Sequence, residues 1–331
     1  MVSQDQEYKK LDYRNRKVLI TGGMGFIGSN LATHLVELDA QVTLVDALIP
    51  GYGGNRFNIS QIQDRVSTHI SDIRDSNAVS GLIEGQDYLF NFAAQVSHVG
   101  SMTDPYLDLD INTKGQIVLL EACRRYNPKI RMIHASSRHV YGKPKQLPVD
   151  EESAISAVDV YSINKFAGES YHRLYHEIYG LSISILRLGN IYGPRQNHLD
   201  CVGVFMRRAA MGQPLVIFGG GAQIRDYIYV DDLCEAFLLT GQLPQTIGQV
   251  YNLGSPYRCS IGQFAGYLSK IANVSIQIQS FPPERKMIEV GDFYSSHTKF
   301  SNATGWHPGT SLEEGVRRTY EFFLRNKEQY C

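Results

Sequence analysis

Tyr161 and Lys165 stand four residues apart, a spacing that sets a phenol and an ammonium on one face of a helix. That pairing has a chemical use. A tyrosine ionises near pH 10, so a phenolate base at neutral pH needs stabilisation of roughly 4 kcal/mol, and a neighbouring cation contributes to it. The spacing alone selects nothing, because Tyr13…Lys17 and Tyr141…Lys145 repeat it in the same chain. Position separates the three. Tyr13–Lys17 precedes the first strand-like run, and Pro144 disfavours a helix through Tyr141–Lys145. Tyr161 instead opens a helical stretch through Phe166, Ala167 and Leu174, and Ser136-Ser137 closes the strand before it. A serine hydroxyl at that point can hydrogen-bond a substrate hydroxyl undergoing oxidation.

The elements that must carry these residues are legible from periodicity. Val18–Thr21, Val42–Asp46, Val66–Ser71, Tyr88–Phe92, Arg131–Ser137 and Ser182–Arg187 read as strands rich in Val, Ile and aromatics. Between them lie amphipathic stretches, with Ile27, Leu31, Leu35 and Leu38 at helical spacing and Ile117, Leu120 and Cys123 less regularly so. Such alternation predicts an α/β, Rossmann-type doubly wound parallel sheet with helices on both faces. From Gly189 the rhythm breaks into Pro- and Gly-punctuated segments, which predicts a smaller C-terminal α+β lobe, with Val250–Leu253 returning to the main sheet. The expected division is a nucleotide-binding domain over 13–188 plus about 225–253, and a substrate-binding lobe over 189–224 and 254–331.

Residues 18–31 run from a buried strand through a glycine cluster into a helix. The cluster parses as Gly23-x-Gly25-x-x-Gly28 or Gly22-x-x-Gly25-x-x-Gly28. Either way it offers a tight turn, bare backbone N–H groups for a pyrophosphate and close helix–strand packing. Asp46 ends the second strand 18 residues after Gly28. A carboxylate there can bind ribose hydroxyls and repels a 2′-phosphate, which points to NAD rather than NADP as cofactor.

Composition excludes several classes. The 331 residues are 43% hydrophobic and 20% charged with a net charge of −1, so nothing marks a nucleic-acid or anionic-membrane partner. The residues up to Asp12 are polar, with no signal-peptide core, and no apolar run approaches a membrane span. Cys123, Cys201, Cys234, Cys259 and Cys331 are scattered without a CxxC, which argues against disulfides and structural zinc and fits a cytoplasmic location.

Seven stretches then occur in order: Thr21–Leu31, Ser71–Asp75, Asn91–Ala94, Ser136-Ser137-x-x-Val140-Tyr141-Gly142, Tyr161-x-x-x-Lys165, Arg187-x-x-Asn190-x-Tyr192-Gly193-Pro194 and Arg225–Asp232. Together they closely resemble the NAD-dependent epimerase/dehydratase family, extended short-chain dehydrogenases that act on nucleotide sugars. The resemblance spans about residues 16 to 320. It implies that Gly22, Gly25, Phe26, Ile27 and Gly28 hold the pyrophosphate and Asp46 the adenosine ribose. Asp72 and Ile73 would flank the adenine, and Ala93, Ala94, Asn112 and Ser136 would line the cofactor groove. Ser137, Tyr161 and Lys165 match the catalytic triad. Asn190 and Arg225 match ligands of the substrate diphosphate, with Arg285 or Lys286 near another basic ligand. The family also implies a homodimer through helices around 113–126 and 161–179, with Tyr171, Tyr175, His176 and Tyr179 on the outer face of the second.

Members share a first step, in which the tyrosine takes the C4 hydroxyl proton while hydride leaves C4 for NAD, giving a 4-keto sugar. A 4,6-dehydratase generally carries Asp-Glu after the catalytic Ser or Thr, whereas Arg138 and His139 stand here, and arginine cannot donate a proton at neutral pH. A 4-epimerase needs no further acid–base pair, so the expectation is a nucleotide-sugar 4-epimerase. The alternatives are a C4 dehydrogenase, a decarboxylase, a 4,6-dehydratase or, from another class, a non-catalytic NAD-binding sensor. Arg138 suits a substrate carboxylate or else points to solvent at a strand end. His139 suits either a proton relay or a structural role. His98, in Ser97-His98-Val99, falls on the sugar-pocket loop. His172 and His176 lie four apart but lack a third ligand, so no metal is expected.

Overall fold

Runs of Val, Ile, Leu and aromatics form the strands in the computed structural model, which describes residues 11–197 and 200–331. In chain order they are β1 (Lys17–Thr21), β2 (Gln41–Asp46), β3 (Val66–Ile70), β4 (Tyr88–Asn91), β5 (Arg131–Ser137), β6 (Ser182–Leu188), β7 (Asn190–Tyr192), β8 (Leu215–Phe218), β9 (Ile224–Tyr229), β10 (Val250–Leu253), β11 (Arg258–Ser260) and β12 (Ile276–Gln279). Seven make one sheet in the order β3-β2-β1-β4-β5-β6-β10, every pairing parallel. The strand order reverses between β1 and β4. In a doubly wound sheet the loops leaving the carboxyl ends of such neighbours diverge to opposite faces and open a crevice for ligand.

Burial explains the strand sequences. All seven residues of β5 are buried, as a strand covered on both faces requires, whereas edge strand β3 is polar and exposed. On one face the helices Phe26–Glu37 and Val230–Gln242 pack a core around Leu31, Leu35, Leu233 and Phe237. On the other, Ser76–Ile83, Gly115–Tyr126 and Val160–Tyr179 bury Val79, Leu119, Leu120 and Tyr175. The smaller lobe has its own core of Tyr192, Phe205, Leu215, Phe264 and Phe323, beneath a three-stranded sheet β11-β9-β7 and a β12-β8 pair. Segment 225–253 is shared between layers, because β9 pairs within the three-stranded sheet while the following helix and β10 join the large one.

Two of the three Tyr-x-x-x-Lys matches are structural. Tyr13 is buried in the core with its hydroxyl donating to the Leu238 carbonyl at 2.8 Å. Tyr141 is buried in a turn, donating to Asn252 Oδ1 at 2.8 Å and accepting from Arg187 Nη1. Tyr175 corrects the expected outer face of the helix Val160–Tyr179. It is buried and donates to Glu121 at 2.8 Å, since its helical position turns it towards the neighbouring helix Gly115–Tyr126. No helix among the described residues is long and apolar enough to cross a membrane.

Candidate active site

A cavity of about 1110 Å³ runs along the carboxyl ends of the large sheet and under the smaller lobe. Gly22, Gly25, Phe26, Ile27, Gly28, Asp46, Asp72, Ile73, Ala93 and Ala94 line one part of it. Ser136, Ser137, Arg138, His98, Tyr161, Lys165, Asn190 and Arg225 line the other.

The glycine loop is built for close approach. Gly22 has φ +66°, a left-handed conformation, and a Cβ on it would press on the Phe92–Ala93 backbone. The Gly25 N–H donates to the Gly22 carbonyl at 3.1 Å, and a Cβ on Gly28 would collide with that same oxygen. Gly25 caps the helix Phe26–Glu37 with no side-chain hydrogen bond, so its first amides are left for an anion. We expect Gly28→Ala to push the helix off the loop and weaken NAD binding at least about tenfold by calorimetry; each tenfold step is about 1.4 kcal/mol.

Asp46 is held from two sides. Its two oxygens accept from Leu48 N at 2.9 Å and Met24 N at 3.0 Å, clamping the end of β2 to the glycine loop. Burial raises its pKa, and those two amides oppose the rise. Asp72 takes a bidentate pair from Arg74 at 2.9 and 2.6 Å; burial raises its pKa, but Arg74 prevails and holds it below the usual range. Asn112 is a correction. It is 1% exposed and lies in a polar knot, exchanging bonds with Gln95 and donating to Asp108, so it braces the loop after Ala94 and does not line the groove.

Ser137 closes β5, and its Oγ accepts from the His139 N–H at 3.2 Å. Tyr161 sits in the first turn of its helix, which Asp159 starts with a reciprocal capping box to Ser162. The Tyr161 N–H donates to Ser101 Oγ at 3.1 Å. Burial pushes the phenol up to about 12, against a hydrogen bond from Ser137 that lowers it. Lys165 Nζ donates to the Ala135 carbonyl at 2.7 Å, and burial lowers the ammonium to about 8, with Asp108 and Glu169 opposing. Desolvation therefore outweighs the help Tyr161 was expected to receive from Lys165. In these surroundings the hydroxyl is the stable form at neutral pH.

Arg138 does not point to solvent. It is 5% exposed, lies over the Phe293 ring at 4.7 Å and donates to Asn190 Oδ1 at 3.3 Å. Its Nε and Nη1 have no hydrogen-bond partner among the described residues. Burial, then Arg225, lowers its pKa to about 9, against Asp226 and Glu289. Arg225 donates to the Ile224 and Gly291 carbonyls and to Glu289 at 3.1 Å. The Arg285 side chain lies outside the described residues, although its helix Pro283–Met287 leads into Ile288, Glu289 and Val290 on the cavity wall. His172 and His176 bond different carbonyls, of Gly168 and Leu181, through Nδ1. Asp159, Glu289 and Phe293 escaped the sequence reading. Asp159 alone had a local signal, a capping residue three before Ser162; the others meet the site only through tertiary contact.

A dinucleotide crevice joined to a Ser–Tyr–Lys pocket defines an NAD-dependent enzyme of the short-chain dehydrogenase type. The model of the NAD dependent epimerase/dehydratase family matches residues 18–254, and the chain belongs to that family. It is 32% identical over 321 residues to UDP-glucose 4-epimerase of Mycolicibacterium smegmatis, covering 95% of this chain and 100% of the relative. Among solved structures, UDP-glucose 4-epimerase of Thermotoga maritima with UDP-glucose superposes with a TM-score of 0.86 at 30% identity, covering 94% and 99% of the two chains. UDP-glucuronic acid 4-epimerase of Bacillus cereus, solved with UDP-glucuronic acid and NAD, gives 0.86 at 27% identity over the same shares.

Proposed function

We propose that this enzyme is a nucleotide-sugar 4-epimerase. The observation that carries the reading is one cavity wall on which Ser137, Tyr161 and Lys165 meet, followed by a buried arginine where an acid would serve dehydration. Bound NAD would supply the hydride acceptor and donor for C4. With the positive nicotinamide beside it offsetting the burial that favours the phenol, Tyr161 takes the C4 hydroxyl proton and gives it back. Lys165 contributes positive charge, and Ser137 holds the C4 oxygen by a hydrogen bond. Asn190 and Arg225 hold the diphosphate, an arginine being suited to bidentate phosphate contact. Gly22 through Gly28 cradle the cofactor, with Asp46 on its ribose and Asp72 and Ile73 beside its adenine. Incubation with UDP-, GDP-, CDP- and dTDP-hexoses, read by NMR, tests this. A C4 epimer with no net NADH is expected, and a deoxy, decarboxylated or net-oxidised product would replace the reading.

One observation favours a narrower substrate. The buried guanidinium of Arg138 has two nitrogens without hydrogen-bond partners among the described residues, and unsatisfied buried donors are costly. A carboxylate on the sugar would satisfy them, so uronic acid nucleotides head the panel.

We also propose a homodimer through the helices Gly115–Tyr126 and Val160–Tyr179. Ile163, Leu174 and Ile178 are 55%, 45% and 66% exposed, and they share a face with Ala167 and Tyr171 at helical spacing. Tyr126 on the neighbouring helix is 53% exposed. Such a patch is characteristic of an interface. In sedimentation the protein should run as a dimer and Ile163→Asp/Ile178→Asp as a monomer; a monomeric parent would remove the proposal. Buried, unpaired Cys123, Cys234 and Cys259 fit a cytoplasmic setting.

A further inference from the structure

Two imidazoles at the sugar end of the cavity have no part in the C4 chemistry above. His98 opens the helix His98–Thr103, and its Nδ1 lies 2.6 Å from Asp159 Oδ2. The other oxygen of Asp159 accepts from Ser162 N at 2.8 Å and Ser162 Oγ at 2.6 Å, so the carboxylate is fixed by the helix it caps. Burial raises the Asp159 pKa, but His98 and Ser162 outweigh it, and the group is an anion at neutral pH. An anionic acceptor assigns the hydrogen of His98 to Nδ1 and leaves the lone pair on Nε2. The His98 ring meets the Tyr161 ring edge-on at 4.6 Å and lies 4.0 Å from the His139 ring. All three residues line the cavity.

The two imidazoles are not equivalent. Burial, then Arg138, His98 and Arg225, hold His139 far below the usual imidazole range, so it stays neutral. Of the two, only His98 has a carboxylate against its ring among the described residues. This is the Asp–His arrangement that positions a general base.

A 4-keto sugar has acidified hydrogens on C3 and C5, because the electron pair left behind delocalises into the carbonyl. If Tyr161 addresses the C4 oxygen, a base in contact with its ring is beside those carbons. We propose that His98, oriented by Asp159, is a second acid–base residue that removes and returns a hydrogen on a carbon flanking the C4 ketone. The C–H bond breaks, its proton goes to Nε2 and its electrons form an enolate with the charge on the C4 oxygen. The Tyr161 and Ser137 hydroxyls donate to that oxygen. Return of a proton from Nε2 restores the ketone with no redox change, and exchange of that proton with solvent before it returns labels C3 or C5. The inference rests on the nucleotide-sugar reading above, with Asp159 as a positioning residue.

The test bypasses hydride transfer by supplying the ketone ready-made. The NAD-loaded enzyme is incubated in D₂O with a UDP- or dTDP-4-keto-6-deoxyhexose, and deuterium at C3 and C5 is read by NMR. Exchange well above the buffer rate is expected, falling about 100-fold or more in His98→Asn, the usual scale of acid–base assistance. Free imidazole should restore part of the rate to His98→Gly. Asp159→Asn, which keeps a helix-capping side chain, should lower the maximal exchange rate while the ketone concentration for half-maximal exchange stays unchanged. Unchanged NAD binding by calorimetry shows that each variant is folded. Exchange no faster than buffer, or exchange untouched by His98→Asn, overturns the proposal. Failure of the C4 reading is separate, since it appears as no product from nucleotide sugars that carry a C4 hydroxyl.

Discussion

Tyr161→Phe is expected to lower turnover of every accepted nucleotide sugar by about 10²–10⁴-fold, the range for loss of a positioned acid–base group, while NAD still binds. The expectation is large because the substitution is small. Phe keeps the ring that packs against His98 and His139 and removes only the hydroxyl. The Tyr161 N–H still donates to Ser101, and Asp159 still caps the helix, so the backbone has no reason to move. Calorimetric NAD titration and initial rates on one preparation separate the two effects. Turnover within a fewfold of the parent would place the base for the C4 hydroxyl elsewhere, with His98 the neighbouring group to examine. The two pKa directions add a pH signature. Burial leaves Lys165 titrating near 8, so a rate that needs its ammonium falls as pH rises through that value. Lys165→Met should remove this high-pH limb along with most of the activity.

The second large effect is on stability. Glu169 is fully buried; it accepts from Arg187 Nε at 3.0 Å, Arg187 Nη2 at 2.5 Å and Ser136 Oγ at 2.6 Å. Arg187 is 4% exposed and also donates to Tyr141. Glu169→Ala leaves a guanidinium in the interior with no counter-charge, and the expected loss is roughly 3–5 kcal/mol in denaturant unfolding. The double variant Glu169→Leu/Arg187→Met should recover much of it, because the penalty belongs to the unpaired charge and the pair itself repays little beyond its own desolvation. A loss below about 1 kcal/mol in the single variant would mean that water or another anion reaches Arg187. The pair also matters for the site, since Ser136 precedes Ser137 on β5.

Much of the site was readable because its signals are local. The glycine loop needs only a strand, a turn that excludes Cβ atoms and a helix start, all within 18–31. The large sheet followed from strand–helix alternation, and its strands fell where Val, Ile and aromatic runs placed them. Side-chain environment was not readable in the same way. Arg138 allowed two opposite readings until Phe293 and Asn190 enclosed it. Asn112 looked like a groove residue, but Gln95 and Asp108 take its amide. Tyr175 looked like an outer-face residue until Glu121 took its hydroxyl.

By itself the sequence determined the order of elements, the glycine loop between strand and helix, and which residue types were available for proton transfer. Backbone preference and hydrophobic period act over a few residues and need no knowledge of the rest of the chain. Only the tertiary structure decided that burial raises the Tyr161 phenol and lowers Lys165 to about 8, that Arg138 is enclosed, and that His98 stands on Asp159. Those outcomes depend on desolvation and on groups brought together from separate elements, such as His98 with Asp159, 61 residues apart, and Lys165 with the Ala135 carbonyl, 30 apart. Spacing along a chain carries no record of either.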